Sequence, residues 1–209
     1  MTAEEMERVR GGAELPAPNV GPRSRVRRHA ERARPELVEV VLRAGHVAHV
    51  AFAVEGQPVV LPFTYHYEDG ALYLHGAPAS RAVRAIGSGA PVCVEVLLLD
   101  GLVASREAKK HSMNYRGAVV FGRAEVVADL AEKRVLFERM TARYFPGRAA
   151  GEDYHPVTEG QLKGTEVLRI RIEEWSGKAR SGPGMGEHDS DPDYAFGSAF
   201  VVELPGVDG

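Results

Sequence analysis

The chain has 209 residues, 44% of them hydrophobic, with a formal net charge of −3 and a pI near 6.3. That length suits one ordinary domain with tails, and the acidic balance argues against a protein that coats nucleic acid, which is basic overall. No apolar run approaches the roughly 20 residues of a membrane helix, the N-terminus lacks the apolar stretch of a secretory signal, and the single cysteine, Cys93, excludes an intramolecular disulfide, which fits a cytoplasmic setting.

Residues 1–33 read as a flexible Arg-rich tail. Gly11, Gly12, Pro16, Pro18, Gly21 and Pro22 break it, and Arg23, Arg25, Arg27 and Arg28 follow, with Arg32 and Arg34 beyond. Such an arm can grip a phosphate polymer, but it lacks aromatics that would stack bases, so a solvated leader is the expectation. Pro35 opens a short helix carrying Leu37, Val38, Val41 and Leu42 at helical spacing, and Gly45 ends it. His46 to Val54 alternates as a strand, Gly56-Gln57 turns, and Val59 to Tyr67 is the partner strand, with Pro62 marking an edge or bulge. Glu68-Asp69-Gly70 signals a hairpin into Ala71–His75, so three strands form a meander. Ser80 is placed to cap a second helix that carries Val83 and Ile86 and stops at Gly87-Ser88-Gly89.

Pro91 to Leu99 is a long apolar strand, followed after Asp100-Gly101 by a polar stretch to Arg116. Gly117 to Val127 is a further strand, and Leu130 to Phe145 the longest helix, with Val135, Leu136, Met140 and Tyr144 on one stripe. Glu166 to Ile172 is a final alternating strand, and residues 181–209 form an extended arm ending in Phe200-Val201-Val202. About six strands with few intervening helices define a mainly β (α+β) fold, an antiparallel barrel with short helices at its ends. Neither GxGxxG nor GxxxxGK[ST] occurs where a dinucleotide or P-loop fold would place it.

The segment Leu61–Arg81 concentrates polar and aromatic residues: Thr64, Tyr65, His66, Tyr67, Tyr73 and His75 on one hairpin, then Ser80-Arg81 at a helix start. Alternation puts Tyr65 and Tyr67 on one face and Thr64 and His66 on the other. Stacking surface and hydrogen-bonding groups beside a helix start suit a planar heterocycle and a phosphate, the parts of a mononucleotide. A barrel hairpin with surface aromatics and an ordinary N-cap is the plainer reading of the same residues.

The blocks GHVAHVAFAVEGQPVVLPFTYHYEDGALYLHG (45–76), HSMNYRGAVVFGRAEVV (111–127) and VLRIRIEEWSGKAR (167–180) resemble the FMN-binding split barrels of the pyridoxamine 5′-phosphate oxidase-like superfamily, nearest the branch related to nitroimidazole-resistance proteins. The resemblance implies a six-stranded antiparallel split β-barrel over residues 34–180. It implies a homodimer with FMN at the subunit interface. By the same resemblance Pro62, Tyr65, His75 and Gly76 line the ring and ribityl chain, and Ser80 and Arg81 hold the phosphate. His111, Asn114, Tyr115 and Arg116 approach the flavin or close the interface, and Lys178 adds a polar contact. His75 is the expected reaction-centre residue. Two positions depart from the pattern: Gly117 stands where relatives carry Ser, and Phe196 where they carry Trp.

Other readings carry less. His46, His49, His66 and His155 show no HExxH or Cys-His spacing, so no metal site is expected. No GxSxG surrounds Ser105 or Ser112, so a hydrolase is not expected. Two functions stay open: an oxidoreductase passing electrons from a reduced nicotinamide donor through FMN to a small electron-poor acceptor, with His75 as proton donor; and a carrier that holds flavin, or haem on a histidine, without turnover. A deazaflavin in place of FMN is a third possibility.

Overall fold

Pro35 heads a 3-10 turn, Pro35–Leu37, that runs into helix α1, Val38–Ala44, where the missing N–H of proline has no intrahelical partner to lose. The computed structural model describes residues 20–195 and 197–204; the expected leader up to residue 19, and Phe196, lie outside the described residues. The strands are β1 Ala48–Val54, β2 Gln57–Phe63, β3 His66–Glu68, β4 Ala71–Gly76, β5 Pro91–Ala104, β6 Ser112–Val126, β7 Glu166–Arg180 and β8 Phe200–Glu203. The remaining helices are α2 Arg81–Gly87, α3 Leu130–Tyr144 and α4 Glu159–Lys163. No helix among the described residues is long and apolar enough to cross a membrane.

The strands join in one sheet in the order β2-β1-β5-β6-β7-β4-β3, with β8 pairing β5. Antiparallel pairing holds for β1–β2, β3–β4, β4–β7 and β5–β8. This is the mainly β class expected, with eight strands among the described residues where six were expected. The difference has three sources. The expected strand Val59–Tyr67 is two strands, because the chain leaves β1 after Phe63 and rejoins the sheet at its far end as β3. The expected meander is therefore split: β2 and β3 are the two ends of the strand order, and Pro62 sits on an edge strand opposite His49, where a missing N–H is tolerated. The apolar tail adds β8, whose Val202 lies opposite Leu102. β5 also runs through Asp100-Gly101 to Ala104, and β6 starts at Ser112, so the expected polar stretch is shorter. Gly101 makes this possible, since a Cβ there would stand 2.8 Å from the Val202 carbonyl oxygen.

The chain packs as two compact units. One comprises His46–Val94 and Val120–Glu174. In it Leu72 faces Ile170 and Leu74 faces Leu168 across β4 and β7, and all four are fully buried, each contributing roughly 1.5–3 kcal/mol by leaving water. Helix α3 begins at Asp129, whose carboxylate accepts the Glu132 N–H. It lays Leu136 and Met140 against Ala71, Tyr73, Val127 and Val167. At its end the Tyr144 hydroxyl accepts the Tyr65 N–H at 2.8 Å and lies 2.8 Å from the His46 carbonyl and 2.9 Å from that of Tyr65.

The second unit comprises Val20–Gly45, Glu95–Val119 and the chain from Trp175. Val38, Val41 and Leu42 of α1 are buried. Ahead of them the Arg34 N–H donates to the Gly177 carbonyl at 2.8 Å, and Ala33 bridges Lys178. The segment after β7 is folded back rather than extended. The Asp189 carboxylate accepts from Ser105 Oγ at 2.9 Å, the Arg106 N–H at 2.8 Å and the Gly186 N–H at 2.7 Å. His188 stacks on Tyr194 with centroids 4.0 Å apart.

Candidate functional site

His75 is the next-to-last residue of β4, opposite Val167 of β7. The four residues before it, Ala71 to Leu74, are buried; His75 is half-buried, at the point where the strand leaves the core. Gly76 closes the strand, and a Cβ there would stand 2.7 Å from Val83 Cγ2 of α2, so glycine lets the helix pack against the strand end. The imidazole lies edge-on to Phe137 of α3, with centroids 5.3 Å apart at 63°. Its Nδ1 is buried and meets no hydrogen-bond partner. Burial holds its pKa below the ordinary histidine value, so the ring is neutral near pH 7.

In front of His75 lies a cavity of about 430 Å³, lined also by Phe137, Glu138 and Thr141 of α3, by Ala150, Tyr154, His155 and Val157, and by Gln161 and Thr165. The far wall is a loop pinned at several points. Ala149 N–H donates to the Asp153 carboxylate at 2.8 Å, Gly151 N–H to the Tyr154 carbonyl at 2.8 Å, and the Arg134 guanidinium to the Val157 carbonyl. Thr158 and Gln161 cap α4 reciprocally. Behind α4 the buried Lys133 ammonium donates to the Thr165 carbonyl at 2.9 Å. The half-buried His75 and the exposed His155 thus line one open cavity with aromatic and hydroxyl groups. His155 is exposed, as a surface histidine is expected to be, and lies in the lining of the same cavity.

The other expected residues fall into separate places. Pro62 and Thr64 are exposed in and just after edge strand β2. Tyr65 corrects the expectation that it lines a flavin ring: it is fully buried, its ring lies under the Arg143 guanidinium 4.8 Å from the centroid, and burial pushes its pKa up. Tyr67 is buried too, so the tyrosine face of the hairpin is core. Its opposite face holds His66, whose Nε2 lies 3.4 Å from the Glu68 carboxylate; that bond, with Arg139, keeps the Glu68 pKa low. Ser80 stands at the N-cap of α2 without a side-chain capping bond, a second correction, and Arg81 is exposed on the first turn of a helix of seven residues.

In the second unit, Asn114 donates to the Gly182 carbonyl at 3.1 Å and accepts from Arg180. Arg116 makes a two-pronged pair with Asp100, Nη2 to Oδ1 at 2.7 Å, and that bond raises its pKa. Lys178 donates to the Arg28 carbonyl at 3.2 Å. These three polar groups are thus bonded within the protein. His111 is exposed with Nδ1 3.2 Å from the Ala108 carbonyl, and Tyr115 is half-buried.

Residues 34–179 match the family model of pyridoxamine 5′-phosphate oxidase. The flavocytochrome Anf3 from Azotobacter vinelandii shares 31% identity over 90% of this chain and 87% of its own, with a TM-score of 0.79. An FAD and haem binding protein from Mycobacterium smegmatis shares 32% over 83% of this chain and 84% of its own, with a TM-score of 0.74. A protein from Bacteroides thetaiotaomicron described as a 5-nitroimidazole antibiotic resistance protein shares 21% over 69% of this chain and 83% of its own, with a TM-score of 0.57, which carries the fold alone. No curated protein sequence matches. The chain belongs to the pyridoxamine 5′-phosphate oxidase family, and its fold is that family's split barrel.

Proposed function

We propose that this chain is a flavin-binding redox protein with a haem-binding pocket at His75. The observation that carries the reading is the half-buried His75 imidazole, held neutral by burial, lining a cavity that His155 also lines. The flavocytochrome and the FAD and haem binding protein, each more than 30% identical to this chain over most of its length, support the same reading.

Haem would ask the protein for only one or two side-chain ligands, because the macrocycle supplies the rest. A histidine ligates as the neutral imidazole, the form that burial favours at His75. The cavity, about 430 Å³, falls within the range of small-molecule pockets, roughly 300–1,000 Å³. Phe137 packs the His75 ring from the side, and Thr141, Tyr154 and Gln161 offer hydrogen bonds to polar edges. In this reading His75 would hold the iron, and the exposed His155 lines the same cavity.

The flavin would supply hydride and single-electron chemistry, and the protein its position and surroundings. FMN is the finer expectation, with its phosphate on Arg81. The uncapped Ser80 and the short α2 leave the guanidinium as the main attraction. Electrons would come from a reduced nicotinamide and leave to a small electron-poor acceptor. A homodimer fits the apolar side chains exposed in the second unit, Leu97, Leu99, Leu102, Phe200 and Val202.

Titrating the purified protein with FMN and with haemin tests the reading. Both should bind, and replacing Arg81 by Ala should weaken FMN by roughly 1.5–3 kcal/mol. A protein that takes up neither group overturns it. Bound flavin that stays oxidised with both NADH and NADPH would mark a carrier without turnover.

A further inference from the structure

Lys133, near the start of α3, is the one buried lysine among the described residues, 5% exposed. A buried ammonium is costly unless its protons meet acceptors. Near the N-terminus of its own helix it also faces the unfavourable end of the helix dipole. Its partners lie on other elements. Nζ donates to the Thr165 carbonyl at 2.9 Å and to the Leu162 carbonyl at 3.5 Å, and it pairs with the Glu166 carboxylate at 3.8 Å. Leu162 is fully buried in α4, a helix of five residues whose last carbonyls have no intrahelical partner. Lys133 thus closes the C-terminal end of α4, as Thr158 and Gln161 cap its start.

These contacts border the cavity in front of His75. Gln161 and Thr165 line it. Glu166 begins β7 opposite Gly76, and Val167 follows it opposite His75. On α3, Phe137 and Thr141 follow Lys133 at steps of four residues, a spacing that puts all three on one face. Phe137 and Thr141 line the cavity, and Phe137 packs edge-on to the His75 ring. One stripe of α3 therefore meets His75 at Phe137 and the end of α4 at Lys133.

We infer that Lys133 is a positioning residue of this cavity: its ammonium fixes the end of α4, and with it Gln161 and Thr165, relative to the strands that carry His75. This rests on the haem reading of the cavity and deepens it by naming what sets its width. Lys133 is not itself in the lining, so it acts through the residues it holds. A methionine fills similar space without donating a hydrogen bond. It leaves the Leu162 and Thr165 carbonyls without the ammonium and frees α4 to shift. Replacing a buried ion pair by uncharged side chains is often neutral for stability. The fold and the cavity wall therefore respond differently to the loss of this charge.

The test joins two measurements on the full-length protein: amide hydrogen exchange without any ligand, and titration with haemin followed by its Soret band. The variants are K133M, K133R and K133M/E166Q. The last removes both charges, leaves no unpaired carboxylate, and covers a K133M that does not fold. In K133M, and in K133M/E166Q, the amides of residues 158–166 should exchange faster while those of β4 keep their protection. Haemin should bind about tenfold or more weakly with a shifted or broadened Soret band, while FMN affinity stays within about twofold. K133R, which keeps the charge and the donors, should lie nearer the wild-type protein than K133M in both measurements. Wild-type haemin affinity and Soret position in K133M/E166Q would overturn the inference. Equal losses of haemin and FMN would overturn it too, because they mark general unfolding. Failure of the haem reading looks different: the wild-type protein takes up no haemin. Exchange then decides alone, and unchanged rates at residues 158–166 in K133M/E166Q would remove Lys133 from the wall.

Discussion

His75 stands edge-on to Phe137, 5.3 Å between ring centroids, with its Nδ1 buried and without a hydrogen-bond partner. Burial lowers the folded pKa of this imidazole below its ordinary value of 6.5. The unfolded chain therefore binds the proton more readily than the folded one. Stability is full above the unfolded pKa and is lost as pH falls below about 6.5 toward the folded value. Thermal melts of the unliganded protein from about pH 7.5 to about pH 5.5 should show a falling Tm, and His75→Gln should flatten that fall. Identical slopes in the two proteins would remove His75 from the account.

Tyr144 ties the end of α3 to the start of the barrel through one hydroxyl near three backbone groups. Tyr144→Phe keeps the ring and deletes the hydroxyl, leaving the Tyr65 N–H without its partner. Such a loss costs about 1–3 kcal/mol. Denaturant unfolding should show a lower midpoint at an unchanged slope.

Gly122 of β6 lets β7 approach closely. A Cβ there would lie 2.0 Å from the Arg171 carbonyl oxygen, a backbone atom that cannot turn aside. Gly122→Ala should destabilise by about 1–3 kcal/mol or more through overpacking. Gly147→Ala is a control for chain entropy, because its Cβ would meet nothing within 4 Å, although its φ of +84° still strains an alanine. The Gly122 variant should unfold at the lower temperature.

Asp189 collects three donors from Ser105, Arg106 and Gly186. Asp189→Ala should release the segment around His188 and Tyr194, so limited proteolysis should cut there faster than in the wild-type protein. Equal cleavage rates would show that β8 alone holds the C-terminal segment.

Local chemistry was legible in the sequence wherever one residue decides a backbone event. Pro35 started a helix, Asp69-Gly70 turned a hairpin with φ of 48° and 73°, and the Leu136–Met140 stripe faced the core. The motif resemblance carried the family and the class of fold. Relations set by long-range pairing were not legible. Nothing local to Phe63–His66 says that the strand before it pairs β1 while the strand after it pairs β4. Alternation put Tyr65 and Tyr67 on one face, but not which face is inside; the helix end at Arg143 and Tyr144 made it core. That His75 and His155, eighty residues apart in the chain, line one cavity depends on how α3 and α4 pack. One local signal did point there: Thr158 and Gln161 form a readable capping box, which would have placed α4 beside the loop that carries His155.

The visible absorption spectrum of the protein, reconstituted with haemin and flavin and compared with His75→Ala, tests the central claim most directly. The wild-type protein should show the two-banded spectrum of oxidised flavin together with a Soret band, and His75→Ala should lose or shift the Soret band while keeping the flavin bands. A Soret band unchanged by His75→Ala, or a wild-type protein with no Soret band, would contradict it.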